Sequence, residues 1–534
     1  MKLLRITLLV LMLSAAFIGP QTLVLGNGLP FNDIEGSYAK DAILRLTEKN
    51  MMNGTSDSTF SPTRSITRAE FLITLNRVLG LEPVPSQIAA YKDVKRTDWY
   101  YSGIQAATEV GLTEGLGDGT FAPKSPVSRQ EAAVWLQQMT GADPASAADI
   151  QAHKYLDHDV IAIWAKGAVY AATKLELMQG SDGRFDPQRA LSRQEAAVIL
   201  DRLIQTPSWS AKLAAKVQDG IQLGWQYRQS DAEFKQSVLA SNVNVLSPRW
   251  FFLEQDGAIS ERGNTGLADW AHLHKKQVWA MFGNRINQEY TQTLLSSSAK
   301  TSAAITKIVQ LAQKYGIDGI NLDFENVAPD DRQAFTVFVT NLAKQLHDKG
   351  MVLSVDVSPD LGTDWTEGFD YAAIGKQADF VILMGYDEHW SGGAAGSVAS
   401  LPWVQSGLDT LLKAVPASKV ILGMPLYTRD WNVNRSGDTL NSEDLTLSEQ
   451  MTRVSSLGLR PGWNSKLGQY ITSYTSGSKT RQVWLEDSRS LSLKYKIALD
   501  RDIAGLAYWH IGGDTPEIWP SLRNMVKYHA IKQP

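Results

Sequence analysis

The N-terminal two-fifths of the chain repeats one pattern three times, and this repetition constrains the fold more than any other feature. Each copy places a Phe-x-Pro tripeptide shortly before a segment that ends in arginine, one further residue and glutamate. The arginines fall at positions 68, 129 and 193. A nearly constant period indicates one supersecondary unit used three times, because such units bury their apolar faces against one another. The tripeptides occupy residues 60–62, 121–123 and 185–187, and the arginine segments occupy 66–70, 127–131 and 191–195.

Each copy also carries the signals that begin a helix. A threonine or serine stands at the expected N-cap of a second helix, with glutamate three positions later, which is the pattern of a capping box. An aspartate opens each copy, and an apolar helical pattern and a glycine-rich turn follow it. The pattern therefore predicts three helix-turn-helix units. The caps are Thr67, Ser128 and Ser192, and the opening aspartates are Asp33, Asp93 and Asp157.

These repeats resemble S-layer homology (SLH) domains, whose motif is matched in all three copies. The resemblance implies α-helical units at residues 28–86, 87–148 and 149–205 that pack as a pseudo-trimer and bind pyruvylated secondary cell-wall polysaccharide. In that family the arginine of a Thr-Arg-Ala-Glu motif contacts the acidic glycan, a role that falls here on Arg68, Arg129 and Arg193. The second and third copies read Ser-Arg-Gln-Glu, a departure that bears on affinity. The alternative is that these arginines only pair with nearby acids on an exposed helix turn.

Length and composition limit the remaining possibilities. A chain of 534 residues exceeds what one hydrophobic core usually serves and predicts two to four folded units. With 43% hydrophobic and 20% charged residues, wholesale disorder and a polytopic membrane protein are both disfavoured. A net charge of −4 makes nucleic acid an unexpected partner. The absence of cysteine excludes disulfides, thiolate metal sites and cysteine nucleophiles.

The N-terminus has the layout of a secretory signal. Lys2 and Arg5 precede an apolar run over residues 6–18, and Gly19 and Pro20 follow it. This layout predicts a signal peptide over residues 1–27 and a secreted protein, and the resemblance to SLH domains implies association with the cell wall or surface layer. An uncleaved signal anchor is the alternative, because apolar residues resume at 23–25. After cleavage no integral membrane span is expected, since the apolar run is short.

Beyond residue 205 the pattern changes. A proline- and serine-containing segment at 205–210 breaks the repeat, and apolar strands then alternate with longer helices. Alternation of this kind predicts a parallel sheet, and eight units favour a closed (β/α)8 TIM barrel over residues 206–534. A doubly wound sheet is the alternative, but no glycine-rich phosphate loop follows the first strand. The strands are predicted at 223–227, 243–246, 277–282, 319–324, 352–357, 380–386, 420–424 and 505–509.

The most informative stretch of this region reads Ile-Asp-Gly-Ile-Asn-Leu-Asp-Phe-Glu over residues 317–325. Because side chains alternate along a strand, Asn321, Asp323 and Glu325 point to one side and the apolar residues between them to the other. Glu325 would lie at a strand's C-terminal end, where barrel enzymes place their catalytic groups. Two close carboxylates resist simultaneous ionisation, so one is expected to hold a proton, as a general acid requires. For an isolated Asp-x-Glu pair, a polar plug satisfied by water or a metal is the alternative.

The full nine-residue string resembles the signature of family 18 glycoside hydrolases, and three other segments agree with it. Residues 384–387 resemble that family's Met-x-Tyr-Asp motif, and residues 423–427 with Arg429 resemble the segment after its seventh strand. Trp509 ends the eighth predicted strand, as does the tryptophan under the scissile sugar in that family. The resemblance spans about residues 215–530 and implies hydrolysis of β-1,4 linkages in glycans that contain N-acetylglucosamine.

The resemblance also implies a mechanism in which the acetamide carbonyl of the sugar attacks C1. Glu325 then protonates the leaving oxygen and later deprotonates water, Asp323 holds the acetamide N–H, and Tyr386 donates to the acetamide oxygen. Net retention at the anomeric carbon follows. Substrate-binding roles are implied for a further set of residues, namely Asn321, Asp387, Tyr427, Arg429 and Trp509.

Two departures from the chitinase pattern bear on the substrate. Position 321 is asparagine where many chitinases have a second acid, and residues 280–284 lack the usual Ser-x-Gly-Gly. The segment after Tyr386 is more similar to the branch of the family that degrades spore cortex and peptidoglycan. Peptidoglycan is therefore preferred over chitin as the expected substrate.

Two other functions remain open on the sequence alone. The barrel could bind sugar without cleaving it, as a lectin, although Asp323, Glu325 and Tyr386 are all present. Alternatively, the chain could be a structural surface-layer protein in which the barrel is a spacer. No cofactor or metal is implied, because His389 and His510 are isolated, and an isolated histidine is more often structural than a ligand.

Overall fold

The computed structural model describes residues 29–152, 154–217, 220–434 and 436–533. The signal segment expected at 1–27 lies outside the described residues. Within those ranges, no helix combines the length and apolar character needed to cross a bilayer.

The repeats form a helical unit at the N-terminus of the described chain. The second helix of each copy begins at the motif arginine, and all three predicted capping boxes form with Thr67, Ser128 and Ser192. The proline- and serine-containing segment after the third copy is a short helix with Pro207 in its first turn. The helices are α1 (Lys40–Glu48), α2 (Arg68–Leu79), α3 (Tyr101–Glu109), α4 (Arg129–Thr140), α5 (Ala147–Ala152), α6 (Ile163–Lys174), α7 (Arg193–Gln205) and α8 (Pro207–Ala214), with a 3-10 turn at His158–Val160.

The three copies close into a ring about a pseudo-threefold axis. The extended segments before α2, α4 and α7 bridge one another in turn, through Ser65 with Ser192, Thr67 with Pro126, and Ser128 with Ala190. Within each copy, the opening aspartate accepts two backbone N–H groups from the Phe-x-Pro loop; Asp33, for example, bonds the N–H groups of Phe60 at 2.8 Å and Ser61 at 2.7 Å. The predicted pseudo-trimer is therefore confirmed.

The C-terminal region is a parallel barrel with an added sheet. The barrel strands follow the order β2-β1-β15-β9-β8-β7-β6-β5, and β2 pairs with β5 to close the ring. All eight predicted strands form within two residues of their expected ends. In chain order the strands are β1 (Ile221–Trp225), β2 (Val245–Ser247), β3 (Phe251–Leu253), β4 (Ile259–Glu261), β5 (Gln277–Gly283), β6 (Gly319–Asp323), β7 (Val352–Val357), β8 (Phe380–Met384), β9 (Val420–Pro425), β10 (Tyr427–Val433), β11 (Thr439–Thr446), β12 (Gly462–Asn464), β13 (Gln469–Ser476), β14 (Lys479–Leu485) and β15 (Gly505–Trp509).

Amphipathic helices surround the barrel. One of them buries the predicted apolar stripe of Phe335, Phe338, Val339, Leu342 and Leu346. The helices are α9 (Asp231–Ala240), α10 (Thr265–Leu273), α11 (Gln288–Leu295), α12 (Ser298–Tyr315), α13 (Arg332–His347), α14 (Asp364–Glu367), α15 (Tyr371–Gln377), α16 (Leu401–Leu412), α17 (Leu447–Ser456), α18 (Ser488–Leu499) and α19 (Ile518–Lys532), with 3-10 turns at Pro329–Asp331 and Ala417–Lys419.

An antiparallel sheet is inserted between the last two barrel strands, β9 and β15. Its order is β11-β10-β14-β13-β12, and α17 packs on it. The sequence pattern did not predict this sheet. The insertion begins at Tyr427, immediately after the seventh barrel strand, and so forms a wall at the C-terminal mouth of the barrel.

The repeats dock directly on the barrel through α3, α4 and α8, which contact α18 and α19. Arg523 makes a two-point ion pair with Glu82, at 2.7 and 2.6 Å. Glu109 of α3 is buried at the centre, where its carboxyl accepts hydrogen bonds from Ser488 and Ser521 of the barrel. Polar contacts in a buried interface fix the relative orientation of the two regions.

Candidate active site

Asn321 lies at the centre of the barrel and makes four hydrogen bonds. Its Oδ1 accepts from Trp225 Nε1 at 2.8 Å and Ser247 Oγ at 3.0 Å, and its Nδ2 donates to Ser354 Oγ at 3.1 Å and Asp356 Oδ1 at 2.7 Å. The side chain is fully buried, and all its hydrogen-bonding atoms have partners. Asparagine here cross-links four barrel strands, β1, β2, β6 and β7.

Asp323 and Glu325 follow Asn321 on the same side of β6 and its extension. Both are largely enclosed but keep some accessible surface. Burial raises the pKa of Asp323 to about 6, and the Arg249 guanidinium opposes that rise. Burial, the Asp323 carboxylate and the Asp387 carboxylate together raise the pKa of Glu325 to about 8. The two carboxyls thus hold different protonation states near neutral pH, the arrangement that general acid catalysis needs.

The backbone of Glu325 is fixed by one side chain. Asn284, just after β5, accepts from Glu325 N–H at 3.1 Å through Oδ1 and donates to the Glu325 carbonyl at 2.7 Å through Nδ2. Asn284 is itself fully buried and also donates to Thr291 Oγ1 at 2.8 Å. Residue 284 thus positions Glu325 where the chain leaves the strand.

Asp356 on β7 is a third carboxyl in the site, and the sequence interpretation missed it. It is buried, and both burial and the Asp323 carboxylate raise its pKa well above the ordinary range. The signal was present in the alternation of Val-Leu-Ser-Val-Asp-Val, which places Ser354 and Asp356 on one side of a strand. Asp356 joins the network on β6 by accepting a hydrogen bond from Asn321 Nδ2 at 2.7 Å.

Tyr386, Asp387, Tyr427 and Arg429 form the side of the site next to the insertion. Tyr427 Oη donates to Asp387 Oδ1 at 2.5 Å, and Arg429 lies 3.5 Å from the same carboxylate and 2.5 Å from Asp444. Tyr386 packs edge-on against Tyr427 at 6.2 Å between ring centroids. Burial and the carboxylates of Asp356, Asp323 and Glu325 raise the pKa of Tyr386 well above its usual range, so its hydroxyl is a donor.

Aromatic rings form the side of the site that faces away from the insertion. Trp509 at the end of β15 meets Trp225 at 5.9 Å and Tyr227 at 5.3 Å between centroids. Arg249, after β2, stacks over Tyr227 at 5.1 Å and reaches the Trp509 ring at 5.8 Å. Arg249 was not among the predicted residues, because it lies in a loop outside any strand pattern. The structure thus brings all eight predicted barrel residues to the C-terminal half of the barrel.

The three motif arginines of the repeats occupy equivalent positions in the ring. Each Nε donates to the carbonyl of the phenylalanine in the next copy at 2.8 Å: Arg68 to Phe121, Arg129 to Phe185 and Arg193 to Phe60. All three side chains are largely buried. Arg68 pairs with Glu131, and Arg129 lies 3.4 Å from Glu195. Arg193 has no carboxylate within ion-pair distance among the described residues.

Among the residues that the structure describes, no group of three or more histidine, aspartate or glutamate side chains is arranged to hold a metal ion. His389 instead bonds the Ser397 carbonyl through Nδ1 at 2.8 Å.

A closed parallel barrel with unequal carboxyls at the C-terminal end of one strand is the arrangement of a barrel enzyme. Comparison with known proteins gives the family. The model of glycosyl hydrolases family 18 matches residues 225–514, and the S-layer homology domain model matches residues 30–72, 90–133 and 158–197. The chain therefore belongs to family 18 of the glycosyl hydrolases and carries three SLH repeats, as the sequence motifs predicted.

Individual relatives agree with this assignment. An uncharacterized glycosylase, YvbX, of Bacillus subtilis is 31% identical over 296 residues, which cover 53% of this chain and 85% of the relative. The cortical fragment-lytic enzyme of Bacillus cereus is 28% identical over 280 residues, which cover 50% of this chain and 65% of that enzyme. This chain therefore matches less than two thirds of the length of that enzyme.

Two solved structures share the fold. A chitinase from Chromobacterium violaceum aligns with a TM-score of 0.53 and 23% identity, covering 57% of this chain and 98% of the chitinase. The spore cortex-lytic enzyme SleL of Bacillus cereus aligns with a TM-score of 0.53 and 23% identity, covering 58% and 75%. The chain is thus a glycoside hydrolase with SLH repeats, which indicate association with the cell surface or cell wall.

Proposed function

We propose that the barrel hydrolyses β-1,4 linkages of glycans containing N-acetylglucosamine, with net retention and with the substrate's acetamide as nucleophile. The observation that carries this proposal is the pKa of Glu325, raised to about 8 at the C-terminal mouth of the barrel. A carboxylic acid that stays protonated at neutral pH can protonate a departing glycosidic oxygen. The carboxylate that remains can then deprotonate the incoming water.

The groups around Glu325 favour a nucleophile that the substrate itself carries. In the described ranges, the side chains of Asp323, Glu325 and Tyr386 form no hydrogen bonds with other residues, which leaves all three available to a ligand. Asp323 would accept the acetamide N–H and stabilise the positive oxazolinium ion, and Tyr386 would donate to the acetamide oxygen. Orienting a nucleophile that the substrate already carries removes much of the entropic barrier.

The remaining predicted residues would bind the sugar. Trp509 offers an aromatic surface for the sugar ring, and Asn321 supports the cavity floor from below. Asp387, Tyr427 and Arg429 are already bonded to one another and would present a fixed polar edge to the substrate.

We favour peptidoglycan over chitin as the substrate. The cortical fragment-lytic enzyme of Bacillus cereus and the spore cortex-lytic enzyme SleL are similar over most of the barrel, and their names describe lysis of spore cortex or its fragments. The SLH repeats would bind secondary cell-wall polysaccharide through Arg68, Arg129 and Arg193, and so keep a secreted enzyme at the wall.

The test uses the full chain on purified peptidoglycan and on chitin, with mass analysis of the products. Glu325→Gln removes the proton but keeps the shape, and the expected loss of rate is several orders of magnitude. Glu289→Gln, on the exposed start of α11, is the matched control and should leave the rate unchanged. Equal rates for the native chain and Glu325→Gln would contradict the proposal, and binding without release of reducing ends would indicate a lectin.

A further inference from the structure

Beside the carboxyls of Asp323 and Glu325, the barrel mouth contains a strongly basic cavity. It has a volume of about 390 Å³ and lies where the chain leaves β1, β2 and β5. Arginine is the dominant charged residue of its lining, and the only acid there is Asp231. Its four arginines, after which we call it the arginine cavity, are Arg228, Arg249, Arg262 and Arg285.

The positive charge of the arginine cavity is only partly compensated by neighbouring carboxylates. Arg285 pairs with Glu254 at 2.7 Å. The other three guanidinium groups have no carboxylate within ion-pair distance among the described residues. Asp231 is already engaged by neutral donors, Gln226 Nε2 at 3.1 Å and Asn264 Nδ2 at 2.6 Å. Like charges held together at this density are unfavourable unless an anion joins them.

Aromatic rings hold the guanidinium groups in a stack. Arg228 lies over Tyr227 at 5.0 Å, Arg249 lies over both Tyr227 and Phe252 at 5.1 Å, and Arg285 lies over Phe252 at 4.4 Å. Stacking fixes the planes of these groups while leaving their edges available for hydrogen bonds. In addition, Arg249 Nε is buried and has no hydrogen-bond partner.

The backbone also holds two of these arginines in an unusual conformation. Arg228 has φ of 52° and Arg285 has φ of 59°, both in the left-handed region that long side chains seldom adopt. Strain of this kind concentrates at binding and catalytic sites. Both residues lie in the loops that leave the barrel strands at its C-terminal mouth.

The arginine cavity lies next to the proposed sugar site, because Arg249 lines it and reaches the Trp509 ring. Arg249 contacts Trp509 at 5.8 Å, and its charge lowers the pKa of both Asp323 and Glu325 against the effect of burial. A group bound among the arginines would therefore lie on a sugar adjacent to the bond that is cleaved. Neutral chitin offers no anion for this position.

We propose that the arginine cavity is a subsite for a carboxylate carried by the glycan, such as the lactyl carboxylate of a muramic acid residue next to the cleaved N-acetylglucosamine. This inference rests on the proposed function and specifies its substrate as an acidic glycan. Arginine suits the role because its planar fork binds a carboxylate through two parallel hydrogen bonds.

The test compares two ligands that differ only in the carboxylate. One is a peptide-free tetrasaccharide of alternating N-acetylglucosamine and N-acetylmuramic acid, and the other is the same tetrasaccharide with its carboxyls reduced to alcohols. Binding is measured by calorimetry on the full chain carrying Glu325→Gln, so that neither ligand is cleaved. The acidic ligand should bind roughly 10-fold more tightly at low salt, and the difference should shrink as ionic strength rises.

Variants locate the effect. In the same background, Arg228→Gln with Arg262→Gln should remove the preference for the acidic ligand and leave binding of the reduced ligand unchanged. Both arginines are exposed, so the fold should tolerate the change. Arg460→Gln, on an exposed loop of the insertion, is the control and should preserve the preference. Equal affinity of the native pocket for both ligands, or a loss of affinity for both in the variant, would overturn the proposal.

Hydrolysis of both tetrasaccharides by the chain with native Glu325 separates the two proposals. Cleavage of both at equal efficiency, with no carboxylate preference in binding, would overturn the subsite while the proposed hydrolase stands. Preferential binding of the acidic ligand with no cleavage of either would support the subsite and contradict the proposed hydrolase.

Discussion

Asn284 holds the backbone of Glu325 from both sides, accepting its N–H at 3.1 Å and donating to its carbonyl at 2.7 Å. The carboxyl of Glu325 itself forms no hydrogen bond to any residue in the described ranges. The proposed acid is therefore positioned through its main chain, and its functional group remains available to the substrate. Positioning of this kind affects the rate because small displacements of a catalytic group are costly.

Asn284→Ala should lower kcat about 10- to 100-fold, because Glu325 loses its backbone support. It should also destabilise the chain by about 1–3 kcal/mol, since buried polar groups lose their partners. Asn244→Ala is a matched control: Asn244 bridges Gln222 N–H and the Gly220 carbonyl in the same manner at the opposite end of the barrel. The control should keep its kcat, and it should lose less stability because Asn244 is only half-buried. Equal kcat losses in both variants would show that Asn284 acts only through stability.

The pH dependence of kcat/KM should be bell-shaped, with limbs near pH 6 and pH 8. Activity should fall above pH 8 because Glu325 loses the proton that it must donate, and below pH 6 because Asp323 becomes neutral. Because the Asp323 carboxylate raises the pKa of Glu325, Asp323→Asn should move the basic limb to lower pH. The residual activity of the variant is measured on a soluble oligosaccharide across pH 5 to 9. A basic limb that stays in place or moves upward would contradict this electrostatic coupling.

Stability should fall as pH rises through the range where Glu109 is protonated only in the folded chain. Burial raises the pKa of Glu109 to about 8 from an ordinary 4.5, so unfolding between these pH values releases a proton. The free energy of unfolding should therefore decrease by up to about 1.4 kcal/mol per pH unit in that window. Glu109→Gln should remove this slope in urea unfolding, whereas Glu114→Gln, on an exposed loop, should retain it. An unchanged slope in Glu109→Gln would contradict the assignment.

Among the three motif arginines, Arg193 should contribute most to wall binding. It lines a cavity of about 520 Å³ together with Arg64, Arg77, Trp99 and Glu70, whose carboxylate is paired with Arg64 at 2.6 Å. Because Arg68 and Arg129 already face Glu131 and Glu195, an acidic glycan must compete with those carboxylates there. Arg193→Gln should weaken sedimentation with isolated cell walls about 10-fold, and Arg129→Gln should weaken it less. The two variants lose the same bond to a phenylalanine carbonyl, so a larger effect of Arg129→Gln would contradict the prediction.

The repeats and the barrel strands were predictable because their signals are local. Capping boxes define the starts of α2, α4 and α7, and apolar runs define the eight barrel strands. The inserted sheet was not predicted, because β11 reads Thr-Leu-Asn-Ser-Glu-Asp-Leu-Thr and resembles a polar loop. Its stability comes from pairing with β10, which only the tertiary structure shows.

In the site too, residues with a local sequence signal were predictable, and residues that depend on tertiary contacts were not. Asp323, Glu325 and Tyr386 lie in motifs, whereas Arg249 reaches the site from a loop by stacking on rings that are distant in sequence. Asp356 could have been found from the alternation on β7, but its role depends on a hydrogen bond from Asn321. The docking of the repeats on α18 and α19 has no signal in either segment alone.

Replacing the acetyl group of the substrate tests the proposed nucleophile most directly. A series of soluble oligosaccharides bearing acetyl, fluoroacetyl, difluoroacetyl or trifluoroacetyl groups on the cleaved sugar carries a progressively weaker carbonyl nucleophile. We expect kcat/KM to fall steeply with each fluorine and proton NMR to detect the β-anomer as the first product. Rates independent of fluorination, or initial release of the α-anomer, would contradict the proposed nucleophile.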